Sequence, residues 1–251
     1  VIYRSLYWFF HLIFIPDSFS CRLCKGTHKA INRFRVFAYQ VSQNHTRTIW
    51  VLKCDIKKFF ASIDHEILLG LLKQRIPDSN IIWLLEQAIQ SFHSTRVGVG
   101  LPLGNVTSQL FVNIYLNEFD QFIKRELKVK HYLRYADDFV LLSDNRRWLE
   151  NQLLLIDQFL AKRLKLTLHP DKISIQTVAT GVDFLGWVHF PDHRVLRTVT
   201  KNRMFRNIRT KKEKRETIES YLGLLNHGNS WKLKQQILVG THELQDDMIC
   251  L

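Results

Sequence analysis

Two adjacent carboxylates, Asp137 and Asp138, lie between two β-rich, largely apolar runs, His131 to Tyr135 and Phe139 to Leu142. That pattern predicts a hairpin with both acids at its tip. At ~4 Å two such charges repel by about 4 kcal/mol at an effective dielectric of 20, a cost that a bound divalent cation turns into a gain. Read alone, an acidic pair also suits a solvated turn. Here the pair is gripped by apolar strands, and a third acid stands upstream. Asp55 ends the run Trp50 to Cys54, apolar except for Lys53, as a buried strand ends when it delivers a side chain to a sheet edge. Asp55, Asp137 and Asp138 together predict a carboxylate cage for hard cations. Mg²⁺ takes one or two carboxylates plus phosphate oxygens, and two ions ~3.5 to 4 Å apart can activate an attacking hydroxyl while stabilising a leaving oxygen. The chemistry implied is nucleotidyl transfer.

The elements that must position these acids are legible on either side of them. Ile63 to Arg75 has helical spacing, with Asp64 as cap and Ile67, Leu68, Leu71 and Leu72 as an apolar stripe. Pro77 interrupts it, and Ile81 to Phe92 resumes the period. Gly98, Gly100, Pro102 and Gly104 describe a loop whose backbone can approach a ligand, and Leu110, Phe111, Ile114, Tyr115 and Phe122 predict a long helix after it. No GK[ST] follows, so this is no Walker loop. Arg146 to Leu166 reads as an amphipathic helix built on Leu149, Leu153, Ile156, Phe159, Leu160 and Leu164. Gly181 to Phe190 alternates as a strand does. Residues 16 to 30 form a turn-rich basic segment leading into a helix, and its Arg22, Lys25 and Lys29 suit either a triphosphate or plain solvation.

Bulk properties narrow the partners. The chain has 251 residues, enough for one large domain or a core with smaller lobes, and 36 basic against 23 acidic residues give a net charge of +13. Such an excess favours polyanions. From Arg197 to Arg215 nine basic residues face one acid, Glu213, which predicts backbone contacts to nucleic acid, or a solvated basic helix. Leu6 to Ile15 is apolar but broken by His11 and well short of the ~20 residues of a spanning helix, so it reads as a buried helix and no membrane partner is expected. No signal-peptide pattern is recognisable. Cys21, Cys24, Cys54 and Cys250 argue for a reducing compartment, and the lone CxxC at Cys21 and Cys24 lacks the second half of a zinc site.

Seven segments in order carry a family resemblance: SFSCRLCKGTHKA (18 to 30), DIKKFFASIDH (55 to 65), LPLGNVTSQLFVNIYLNEFD (101 to 120), YADDF (135 to 139), LHPDK (168 to 172), GVDFLGW (181 to 187) and SYLGLLNHGNS (220 to 230). The chain resembles a reverse transcriptase, and LPLGNVTSQ is most similar to the diversity-generating retroelement type. Group II intron and retron relatives, the alternative, typically read PQG and then SP where this chain has Pro102-Leu103-Gly104 and Ser108-Gln109. The resemblance begins partway into the family pattern, so the chain reads as a fragment.

The resemblance implies an α+β polymerase palm, an antiparallel sheet with helices on one face, with partial fingers over residues 1–48, palm over 49–190 and a partial, basic, helical thumb over 191–251. It implies RNA-directed DNA synthesis with two Mg²⁺ ions, Mn²⁺ being a possible substitute, held by Asp55, Asp137, Asp138 and the Ile56 carbonyl. Lys172 would serve the departing pyrophosphate or steer the triphosphate. Arg22, Lys25, Phe60, Leu103, Gly104 and Gln109 would line the nucleotide, with Phe60 excluding a 2′-hydroxyl and Leu103 relaxing fidelity at template adenines. Phe184, Leu185 and Gly186 would grip the primer, and Arg203, Arg206 and Arg209 would hold the duplex backbone. Expected partners are an RNA template, a DNA or RNA primer, dNTPs and an accessory RNA-binding protein, in the cytoplasm of a bacterial or phage-type system. Two rivals from other classes remain: a non-catalytic RNA-binding remnant, and a nucleotidyl cyclase, whose GGDEF-type paired glycines the Tyr135-Ala136-Asp137-Asp138 tip lacks.

Overall fold

In a computed structural model, residues 2–210 and 214–238 are described. By compactness the chain forms two units, Val1–Gln176 and Thr177–Leu251. The GVDFLGW segment therefore belongs to the second unit, and Lys211, Lys212 and Glu213 of the basic stretch lie outside the described residues.

In the first unit the strands β1 (Trp50–Asp55), β2 (Tyr132–Tyr135), β3 (Asp138–Ser143) and β4 (Ser174–Thr177) form one sheet in the order β2-β3-β1-β4. The pairs β1/β3 and β2/β3 are antiparallel. Before β1 come α1 (Ile2–Phe10) and α2 (Thr27–Val41); α3 (Phe59–Ser62), α4 (His65–Lys73), α5 (Ser79–Gln90) and α6 (Val106–Gln121) follow it, and α7 (Arg146–Leu164) follows the hairpin. Helices α2 and α7 pack against the sheet. Helix α6 is buried on nearly every side, Leu110, Phe111, Ile114, Tyr115, Leu116 and Phe119 among its buried residues, which makes it the centre of the core.

Caps set the helix limits. Asp64 accepts the Ile67 N–H at 3.1 Å, so α4 starts at His65 rather than at Ile63. Asp78 caps α5 in the same way, which brings its start forward from the expected Ile81 to Ser79. Lys165 takes a left-handed conformation and ends α7 at Leu164, two residues short of Leu166. The apolar run from Leu6 is helical only to Phe10; Phe14 and Ile15 are buried beyond it.

The second unit holds a three-stranded antiparallel sheet, β5 (Val182–Phe184), β6 (Trp187–His189) and β7 (Arg194–Leu196), followed by α8 (Thr198–Thr210) and α9 (Arg215–Leu225). The strand-like alternation over Gly181 to Phe190 is thus that of a tight hairpin. Leu185 (φ 52°) and Gly186 (φ 84°) are both left-handed, and this reverses the chain between Phe184 and Trp187.

Candidate active site

Register alone brings the acids to one edge. Asp55, the last residue of β1, is the cross-strand partner of Asp138, the first of β3, and Asp137 precedes it in the turn. The strand end is fixed on both flanks: Ile56 N–H donates to the Asp137 carbonyl at 3.3 Å, His169 N–H to the Asp55 carbonyl at 2.8 Å, and Lys57 N–H to the Thr167 carbonyl at 2.9 Å. The last two bonds place the LHPDK segment beside the site. From its 3₁₀ turn, Lys172 Nζ donates to Asp55 Oδ2 at 2.9 Å, while Lys53 Nζ lies 3.8 Å from the Asp138 carboxylate.

The electrostatics favour a cation here. Burial pushes the Asp137 carboxyl above the usual carboxylate range, and the negative charge of Asp55 adds to it. The hydrogen bond to Asp55 raises the Lys172 ammonium, with the charges of Asp55, Asp137 and Asp138 adding. Burial holds the neighbouring Cys54 thiol protonated, so the donor set is oxygen only and suits hard cations rather than zinc. Among the described residues no three His, Cys, Asp or Glu side chains gather into a group able to hold an ion by themselves. Two of the three acids instead face lysines. An ion here fits as one shared between one or two carboxylates and incoming phosphate oxygens, rather than enclosed in a protein cage.

The residues expected to meet the nucleotide lie on three segments of the first unit. Phe60 is partly buried against the core, and its carbonyl accepts the Leu101 N–H at 2.8 Å, which ties the segment after Asp55 to the glycine loop. That loop is anchored further by His65, whose Nε2 bonds the Gly100 carbonyl at 2.7 Å. Beyond the anchor, Leu103 is 78% exposed, Gly104 is left-handed (φ 84°), and Gln109 lies half-buried in the first turn of α6. Arg22 is tied to its own loop: its Nη1 donates to the carbonyls of Ile15 (2.6 Å) and Ser18 (2.9 Å), and Lys25 Nζ donates to that of Pro16 at 2.7 Å.

In the second unit Phe184 is buried, while Leu185 and Gly186 form the tip of the hairpin. Arg203, Arg206 and Arg209 are exposed on α8, whose opposite side buries Met204 and Ile208.

Sequence reasoning missed Arg134, which sits within a strand read as apolar. It is fully buried and paired with the fully buried Asp120 of α6, at 2.8 Å from Nε and 2.6 Å from Nη2. Tyr132 donates to the same carboxylate at 2.6 Å. The one signal available was an arginine two residues before the acidic pair, in a run too apolar to leave it solvated.

Comparison with known proteins agrees with this geometry. A family model described as reverse transcriptase (RNA-dependent DNA polymerase) matches residues 1–189. Protein YkfC of Escherichia coli K12 is 29% identical over 221 residues, covering 72% of this chain and 55% of YkfC. The group II intron-encoded protein LtrA of Lactococcus lactis is 26% identical over 226 residues, covering 61% of this chain and 36% of LtrA. The chain thus spans about half of the first relative and about a third of the second. Among solved structures, apo telomerase from Candida tropicalis, truncated from its C-terminal domain, superposes with a TM-score of 0.57 at 13% identity, over 72% of this chain and 41% of the telomerase. That likeness is one of fold, an α+β polymerase with antiparallel sheets and packed helices. Strand register, acid placement and the family match agree: the chain belongs to the reverse transcriptase family.

Proposed function

We propose that this protein synthesises DNA on an RNA template by nucleotidyl transfer at the Asp55–Asp137–Asp138 edge. The observation that carries the reading is the β1/β3 register, which sets Asp55 opposite Asp138 with Asp137 in the adjoining turn, inside the family-matched region. Asp55 and Asp137 are the principal ligands for Mg²⁺ or Mn²⁺, with Asp138 and the Ile56 carbonyl in support. When bound, such ions supply activation of the primer 3′-oxygen and charge stabilisation of the leaving pyrophosphate. Lys172, an ammonium already beside the acids, is placed to meet a phosphate or to give a proton to the leaving group. Phe60, Leu103, Gly104 and Gln109 bound the nucleotide, Arg22 and Lys25 lie on the triphosphate side, the Phe184-Leu185-Gly186 tip holds the primer, and Arg203, Arg206 and Arg209 contact phosphate backbone without reading sequence.

For the subtype, Leu103 supports the diversity-generating type, because an exposed aliphatic side chain offers no directional hydrogen bond to a nascent pair. The similarity to LtrA supports a group II intron type as second reading. Primer extension on RNA with Mg²⁺ and four dNTPs, followed by product sequencing, tests both levels. Asp137→Ala is expected to lower extension by on the order of 10³-fold or more. Errors concentrated at template adenines would favour the diversity-generating type, and an even, low error rate the intron type. Salt-sensitive RNA binding without extension, in a chain otherwise intact, would overturn the polymerase reading in favour of a binding module.

A further inference from the structure

Arginine carries five N–H donors in a fixed fork, and at Arg134 all five meet an acceptor. Nε and one Nη2 hydrogen go to the two oxygens of Asp120, the other Nη2 hydrogen to Ser18 Oγ (3.2 Å), and Nη1 to Asn113 Oδ1 (3.3 Å) and to the Ala136 carbonyl (3.0 Å). The last contact reaches the tip of the acidic hairpin. Ala136 is left-handed (φ 55°), a conformation that a residue with a Cβ holds only when its surroundings impose it. With the Asp137 carbonyl taken by Ile56 N–H, both carbonyls of the turn are held: one by a guanidinium from β2 that is itself fastened to Asp120, Asn113 and Ser18, the other by the residue after β1.

We propose that Arg134 is the positioning residue of this turn: by holding the Ala136 carbonyl it sets where Asp137 stands relative to Asp55. The inference rests on the polymerase reading. It assigns the buried ion pair a purpose other than stability, since a buried pair often contributes no more to folding than the apolar residues that could replace it. The fork also reaches the segment before α2. Ser18 accepts Arg134 at its hydroxyl and Arg22 at its carbonyl, so the loop bearing Arg22 and the turn bearing Asp137 share one buried anchor.

Two variants separate positioning from bulk stability. The triple change Arg134→Met, Asp120→Leu and Tyr132→Phe removes the pair and the hydroxyl that depends on it, leaving no buried charge unpaired. Arg134→Lys keeps the charge on Asp120 but has no fork to reach Ala136. In whichever variant unfolds within a few degrees of the wild type, amide exchange over residues 135–138 is expected to quicken about tenfold while residues 50–54 and 139–142 stay protected. In the same variant kcat is expected to fall about 10- to 100-fold with KM for dNTP nearly unchanged. Unchanged kcat, or unchanged exchange at the turn, would overturn the proposal, as would a loss of protection spread over the whole sheet. If the wild type shows no extension that Asp137→Ala abolishes, the polymerase reading falls by itself, and the exchange data alone decide whether Arg134 holds the turn.

Discussion

Each unit contains a hairpin that reverses through two residues, and in each the first of the two is a left-handed non-glycine, Ala136 in one and Leu185 in the other. Each hairpin has one tip carbonyl held by a backbone N–H from outside, but their side-chain anchors differ. The β2/β3 turn must present two acids at a sheet edge, and its anchor is polar and directional, the Arg134 fork of β2 tying the Ala136 carbonyl to the buried Asp120. The β5/β6 turn presents backbone; its side chains are anchored by apolar packing, and its Gly186 carbonyl accepts the Arg197 N–H at 3.0 Å. Trp187 and Phe184 are buried, and Gly228 packs so closely that a Cβ there would come within 2.1 Å of the Trp187 ring. Around that contact Arg194 Nε donates to the His227 carbonyl and Asn229 N–H to the Arg194 carbonyl at 2.8 Å, which joins β7 to the loop after α9. Where a tip carries charge, packing cannot fix its orientation and hydrogen bonds must. Where only the backbone is displayed, close packing needs no more than an ordinary backbone hydrogen bond beside it.

The comparison is broken most forcefully at Gly228. Its backbone is not left-handed, so only the missing Cβ matters, and Trp187 is too enclosed to yield. Gly228→Ala is expected to destabilise the second unit by about 3 kcal/mol. Exchange over residues 182–196 would quicken while residues 132–143 stay as in the wild type. Equal loss of protection in both hairpins would show that they are not anchored separately.

A smaller effect comes from pH, through a histidine more deeply buried than His131 at the base of the first hairpin, whose pKa burial also lowers. His189 is buried in β6, its Nε2 donating to the Phe184 carbonyl at 3.3 Å, and burial lowers its pKa from 6.5 to about 4. A depressed histidine favours folding fully above its unfolded pKa, and that contribution is lost as pH falls from 6.5 toward 4. By pH 5 the loss is roughly 2 kcal/mol. Urea unfolding at pH 7 and pH 5, followed by exchange of residues 182–196, would show this slope. His189→Leu is expected to remove most of it, leaving the smaller share of His131, and a slope unchanged in that variant would place the titrating group elsewhere.

How much of this was legible follows from the range of each interaction. Apolar periodicity and nearby caps are local, so the strand ending at Asp55, the acidic hairpin and the helices α4, α5 and α7 were readable to within a few residues of their limits, whereas α1 starts four residues before the expected Leu6 and α3 was not read. The placement of Asp55 opposite Asp138 followed from two strands of matching length meeting at their acidic ends. Arg134 was not readable, because its partners Ser18, Asn113 and Asp120 lie 116, 21 and 14 residues away and only the fold gathers them. The lysines facing Asp55 and Asp138 were unreadable as partners for the same reason. The β5/β6 turn was legible through the primer-grip resemblance and not through its local chemistry: a tight two-residue tip usually announces itself as Asn-Gly or Asp-Gly, and here it is Leu-Gly.

That unusual tip supplies the finest test of the contrast. A leucine in the left-handed region costs ~1 to 2 kcal/mol relative to ordinary backbone, whereas asparagine tolerates it and matches the preferred Asn-Gly turn. Leu185 is only half-buried, so little apolar area is lost on replacing it. If packing through Phe184 and Trp187 is what anchors this hairpin, the tip residue contributes strain and little else. Leu185→Asn is then expected to stabilise the second unit by about 0.5 to 1 kcal/mol, read as a higher urea midpoint with unchanged slope. A lower midpoint would mean that the leucine side chain is itself part of the anchor, and the two hairpins would differ less in their manner of support than their contacts suggest.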